Sequence, residues 1–126
     1  MEKSNKKLLI VEDDKDFLWL LRQSFDSQDF SVTYAQDGQE GFEMAKKEKP
    51  DLILIDILMP KMNGIEMAKK IKDAGVDCKM IFLTQLSDPQ HISEVMSVAV
   101  GADYIVKADV HIDAIVERVK SKLGVK

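Results

Sequence analysis

Two acidic sites stand at the ends of apolar runs. Asp56 closes the run Asp51-Leu52-Ile53-Leu54-Ile55-Asp56, just ahead of Ile57-Leu58-Met59-Pro60. Glu12-Asp13-Asp14 follows a second run, Lys7-Leu8-Leu9-Ile10-Val11. Continuous Leu, Ile and Val of this length reads as a strand buried on both faces, the kind found in a parallel sheet. Such a strand tolerates a carboxylate at its end, in water, so Asp56 is expected to be solvated. In an open α/β sheet the carboxyl ends of the strands are where ligands bind. Carboxylates delivered to one sheet edge repel one another unless a proton or a cation intervenes. Together with a backbone carbonyl they suit Mg²⁺, which keeps several waters and is often completed by phosphate oxygens.

The elements that must carry these groups are visible as an alternation. Five apolar runs, Leu8–Val11, Val32–Ala35, Leu52–Ile55, Met80–Leu83 and Tyr104–Val106, are each followed by an amphipathic stretch. After the first run, Phe17, Leu20, Leu21, Ser24 and Phe25 are expected on one helical face. After the second, Gly41–Lys47 reads as a short helix whose basic last turn suits the macrodipole. Ile65, Ala68 and Ile71 recur at helical spacing after the third, and Ile92, Val95, Met96 and Ala99 after the fourth. Ile112, Ile115, Val116, Val119 and Leu123 do so after the fifth. Asp14, Asp37, Asp88 and Asp109 stand near helix starts, where Asp is a favoured N-cap, and Pro89 suits a first helical position. Repeated βα units imply right-handed crossovers and a parallel sheet with helices on both faces. Five strands are too few for an eight-stranded barrel. The expected fold is a doubly wound α/β sheet of five parallel strands and five helices.

Composition narrows the classes. The chain has 126 residues, 45% hydrophobic and 32% charged, which fits one soluble domain, 1–126, with residues 1–6 as a flexible N-terminus. No apolar run approaches the roughly 20 residues of a membrane span, and the N-terminus does not read as a secretory signal. A net charge of −4 argues against a general nucleic-acid surface. The single cysteine, Cys78, excludes an intramolecular disulfide and fits a reducing cytoplasm. It is expected to pack rather than react, and the seven methionines to fill the core. His91 and His111 are expected to be exposed, with no second histidine or cysteine for a transition-metal set.

These residues resemble the receiver domain of two-component response regulators, of the stand-alone, chemotaxis-regulator-like type. The resemblance runs from about Lys7 to Leu123. It rests on Glu12-Asp13, on Asp56 before Met59-Pro60 and Asn63-Gly64, on Thr84, on Gly101-Ala102-Asp103-Tyr104, and on Lys107. It implies a flavodoxin-like sheet of order 2-1-3-4-5. It implies Asp56 as a phosphoacceptor that forms an acyl phosphate. Mg²⁺, with Mn²⁺ as a second hard cation, would be held by Asp13, Asp56 and the Leu58 backbone carbonyl, and by Glu12 through a water. Lys107 would pair with Asp56 and then with the phosphoryl group. Thr84 would move onto a phosphoryl oxygen and Tyr104 turn inward behind it, altering the surface of the fourth helix, fifth strand and fifth helix.

The implied partners are a histidine kinase or phosphotransfer protein and a downstream protein target. No direct nucleic-acid or membrane contact is expected, and the chain would be a cytoplasmic monomer or weak homodimer. It would phosphorylate and dephosphorylate itself as a switch, or relay the phosphate, rather than turn over a substrate. The first helix is the expected kinase-docking element, with Leu18 or Trp19 exposed for a partner. Three positions depart from the family pattern. Glu12 replaces the commoner Asp. Gln85 follows Thr84 where a small residue is usual, within reach of the Thr84–Tyr104 switch. Ala108 replaces a cis proline, so a trans Lys107–Ala108 bond is expected, with Asp109 capping the last helix. Leu58 and Leu86 should flank the phosphoryl site without orienting a hydrolytic water.

The alternative is a non-phosphorylated pseudo-receiver that binds a partner constitutively. A flavin carrier is disfavoured because Glu12-Asp13-Asp14 would repel a cofactor phosphate. A Mg²⁺ phosphohydrolase is disfavoured because Leu58, not a carboxylate, stands two residues past Asp56.

Overall fold

A computed structural model describes residues 5–85, 93–94, 97 and 102–125, with the backbone alone at Asp109. Five parallel strands, β1 (Lys7–Val11), β2 (Ser31–Ala35), β3 (Leu52–Asp56), β4 (Lys79–Thr84) and β5 (Asp103–Val106), form one sheet in the order β2-β1-β3-β4-β5. The helices are α1 (Lys15–Phe25), α2 (Gly38–Glu48), α3 (Gly64–Asp73) and α4 (Ile112–Leu123). The helix expected between β4 and β5 is represented by Ser93, Glu94 and Ser97, all helical. Its apolar positions, the Asp88 cap, Pro89, His91 and Leu86 lie outside the described residues.

The sheet separates two cores, and strand alternation assigns side chains to them. Leu8, Ile10, Leu52, Leu54, Ile81 and Leu83 face one core, with Leu18, Leu21 and Phe25 of α1 and Ile115, Val119 and Leu123 of α4. Leu9, Val11, Ile53, Ile55 and Phe82 face the other, with Ala45 of α2 and Met67, Ala68 and Ile71 of α3. β3 lies between β1 and β4, and its five residues are all buried, as a Leu/Ile strand lined by both cores must be. Cys78 packs against the second core, where burial and the neighbouring Asp77 charge push its thiol up to about 11, consistent with an unreactive packing residue.

Helix starts are fixed by side chains. Asp14 caps α1, Asp37 caps α2, and Asn63 forms a capping box with Glu66 at α3. The α3 start is also held by the Gly64 N–H donating to the Ile57 carbonyl at 2.9 Å.

Two local expectations are corrected. On α1 the buried face carries Leu18, not Leu20; Leu20 is exposed together with Trp19. The segment Phe17–Leu21 is apolar on every side, so periodicity alone did not select its inner face. Asp109 does not stand at the N-cap position of the last helix. Lys107–Asp109 forms a single 3₁₀ turn, and His111, exposed as expected, occupies the N-cap of α4 without a side-chain hydrogen bond. The Lys107–Ala108 peptide is trans, as expected without proline.

Candidate functional site

The carboxyl ends of β1, β3, β4 and β5 meet at one edge of the sheet. Glu12 continues β1, its N–H donating to the Ala35 carbonyl at 3.0 Å. The chain then turns into α1, with the Asp14 carboxylate accepting from the N–H groups of Asp16 (3.0 Å) and Phe17 (3.3 Å). The Asp14 N–H donates to Glu12 Oε2 at 3.1 Å. Asp56 is the last residue of β3, opposite Leu83 of β4, and its Oδ1 accepts from the Leu58 N–H at 3.3 Å. Thr84 ends β4 and is buried beside Val106. Lys107 follows β5 directly, which brings its side chain back over the same edge.

Glu12, Asp13 and Asp56 each offer a carboxylate oxygen within 4.8 Å of the others. Lys107 Nζ donates to Glu12 Oε1 at 2.7 Å and lies 3.4 Å from Asp56 Oδ2. Hard oxygens grouped this tightly, with Asp13 open to solvent on one side, suit a small divalent cation.

Asp56 was expected in water. Instead only 4% of it is exposed, and Glu12 is wholly buried. The expectation failed because strand ends were assumed to reach solvent, whereas Glu12, Asp13 and Lys107 crowd this one. Burial is the main reason the Asp56 carboxyl is pushed up to about 8. The hydrogen bond and negative charge of Glu12 add to this, Lys107 opposes it, and Asp13 raises it further.

The sign of the stability effect follows. The folded chain holds the Asp56 proton more tightly than the unfolded chain. Its contribution is therefore complete below the ordinary carboxylate value and is lost as pH rises to about 8. Asp56→Asn removes this titration. In chelator, the melting temperature of the variant minus that of the wild type should increase from about pH 5 to about pH 8 and then level off. A pH-independent difference would contradict it.

Of the residues singled out in the sequence, Asp56, Glu12, Asp13 and Lys107 converge. Thr84 is buried at the neighbouring strand end. Tyr104, opposite Phe82, is half-buried against the second core, and Gln85 is exposed. Leu58 is 47% exposed beside the buried Asp56. Two contacts were not foreseen. Lys107 approaches Glu12 more closely than Asp56. Its ammonium also lies 4.4 Å from the centre of the Phe17 ring. The second had a usable signal: a first-turn aromatic side chain leans toward the helix N-terminus, here toward the sheet edge.

Among the described residues no helix is long and apolar enough to cross a membrane. Residues 8–120 match the family described as the response regulator receiver domain. The chain is 34% identical over 99 residues to the alkaline phosphatase synthesis transcriptional regulatory protein PhoP of Bacillus subtilis, covering 79% of this chain and 40% of that protein. It is 32% identical over 114 residues to the transcriptional regulatory protein DltR of Streptococcus agalactiae, covering 90% and 50% respectively. The chain thus spans about half the length, or less, of these curated relatives. Among solved structures, a CheY-like receiver domain protein from Methanospirillum hungatei superposes with a TM-score of 0.84 at 28% identity, covering 96% of this chain and 95% of that one.

Proposed function

The chain belongs to the response regulator receiver domain family, and from that premise we propose that it accepts a phosphoryl group on Asp56. The Asp56 carboxylate oxygen attacks phosphorus, the bond to the donor's nitrogen or oxygen breaks, and the leaving group departs with its electron pair. Asp13, Asp56 and the Leu58 carbonyl would hold Mg²⁺ directly, and Glu12 through a water. When bound, the cation neutralises charge on the nucleophile and the incoming group. A solved receiver structure from Borrelia burgdorferi, with a TM-score of 0.80 and 29% identity over 92% of this chain and 87% of that one, is described as a CheX-CheY-BeF3-Mg+2 complex, which supports that choice of ion. Each Glu12 oxygen already accepts one donor and keeps capacity for a water.

The observation that carries this reading is the placement of Lys107. It bridges Glu12 and Asp56 in a largely buried site, where a cation is needed both to hold the carboxylates and to meet a transferred phosphoryl group. Thr84 would donate to a phosphoryl oxygen. Tyr104, Gln85 and the surface made by the segment between β4 and β5, by β5 and by α4 would carry the change outward. The donor is a histidine kinase or phosphotransfer protein in the cytoplasm, and the output is contact with another protein or onward relay of the phosphoryl group.

Incubation with acetyl phosphate and Mg²⁺, followed by intact mass, should show a gain of one phosphoryl group that chelator prevents. A chain that gains nothing is the constitutive binding module instead. The lifetime of the product is set partly by Leu58, which has no group to orient water. Leu58→Asn should accelerate loss of the phosphoryl group on the order of threefold or more, followed by mass after donor removal. An unchanged rate would remove Leu58 from the account.

A further inference from the structure

Phe17 belongs to neither the carboxylate set nor the strand ends, yet its ring faces the Lys107 ammonium at 4.4 Å. We propose that Phe17 is a positioning residue: its ring holds the Lys107 ammonium over Asp56, so that the cation is in place when a phosphoryl group arrives. This inference rests on the phosphoacceptor reading for its kinetic consequence, but the contact itself does not depend on it.

Three observations support it. First, only 10% of the Lys107 side chain is exposed, so its ammonium has given up most of its water and must find replacements. Glu12 and Asp56 supply two, and the negative face of an aromatic ring supplies a third. Second, the ring is fixed independently of the lysine. Phe17 packs against the core shared by α1 and α4, and its N–H is tied to the Asp14 carboxylate. Third, the setting differs from that of Lys46, which lies equally close to the Phe42 ring but with a side chain 42% exposed. A cation–π contact is weak in water and stronger when desolvated.

The sequence logic is compact. Glu12, Asp13, the Asp14 cap and Phe17 lie in one six-residue stretch, so the segment bearing two of the acidic groups also bears the holder for the opposing cation. The ring borders the ammonium at 4.4 Å and so opposes its swing away from the carboxylates.

Phe17→Leu keeps apolar packing and removes the π face; Phe17→Tyr keeps both. In the metal-free, unphosphorylated protein, the NMR signals of the Lys107 side-chain methylenes should carry a ring-current shift that Phe17→Leu loses and Phe17→Tyr retains. The initial rate of phosphoryl uptake from acetyl phosphate should fall roughly 3- to 10-fold in Phe17→Leu and recover in Phe17→Tyr, with Mg²⁺ affinity unchanged in both. A wild-type rate in Phe17→Leu, or equal slowing in both variants, overturns the positioning role. If the wild type itself takes up no phosphoryl group, the receiver chemistry fails. The Lys107 shifts then decide the contact alone: their loss in Phe17→Leu supports it and their persistence overturns it.

Discussion

Asp56→Asn should abolish phosphoryl uptake, lowering the initial rate with acetyl phosphate and Mg²⁺ by on the order of 10³-fold or more. The amide preserves the shape of the side chain and the acceptor for the Leu58 N–H, so the loss reports chemistry rather than collapse. An amide oxygen is a poor nucleophile and forms no stable acyl phosphate. The neighbouring carboxylates do not replace it. Glu12 is fully buried, with one oxygen on Lys107 and the other on the Asp14 N–H. Asp13 lies off the strand end that aims Asp56. Intact mass after saturating exposure to donor separates the cases, and a variant that still gains one phosphoryl group would place the nucleophile elsewhere.

Gly64→Ala should be the most damaging small substitution near the site. A Cβ at Gly64 would stand 2.4 Å from the Asp56 carbonyl oxygen and 2.7 Å from Ile55 Cγ2. The first obstacle is backbone, in the central strand, and cannot rotate away. Either α3 lifts off β3 or the end of β3 shifts, and the second displaces Asp56 itself. Overpacking of this kind costs about 3 kcal/mol, a fall in melting temperature on the order of 10 °C for a chain of this size. Uptake should slow as well, because Asp56 moves with the strand. A melting temperature within about 2 °C of wild type would show that the helix start yields at little cost.

The sheet was legible because each strand is a short, uninterrupted apolar run. The site's acidic members were legible because carboxylates stand out at the ends of such runs. The inner face of α1 was not, since Phe17, Leu18, Trp19, Leu20 and Leu21 present apolar groups all round and only the packed neighbours choose among them. The burial of Asp56 was not legible either. It depends on what crowds the strand end, and Glu12 and Lys107 reach it from distant parts of the chain. The Lys107 pairing with Glu12 spans 95 residues, and no local pattern encodes a distance of 2.7 Å across it. Phe17 was visible as a helix-face residue. Its second role emerged only once β5 had delivered Lys107 to the same edge.

Under the phosphoacceptor proposal, the exposed Leu58 beside an Asp56 that scarcely touches solvent sets a requirement of reach. On that proposal a donor would not react by lying flat against this edge; it would have to present its phosphoryl group on a projecting arm. An imidazole standing out from a partner helix meets that demand, as does a small acyl phosphate. A phosphate flush with a broad surface does not. Depth would then act as a filter on donors before any side chain distinguishes one partner from another.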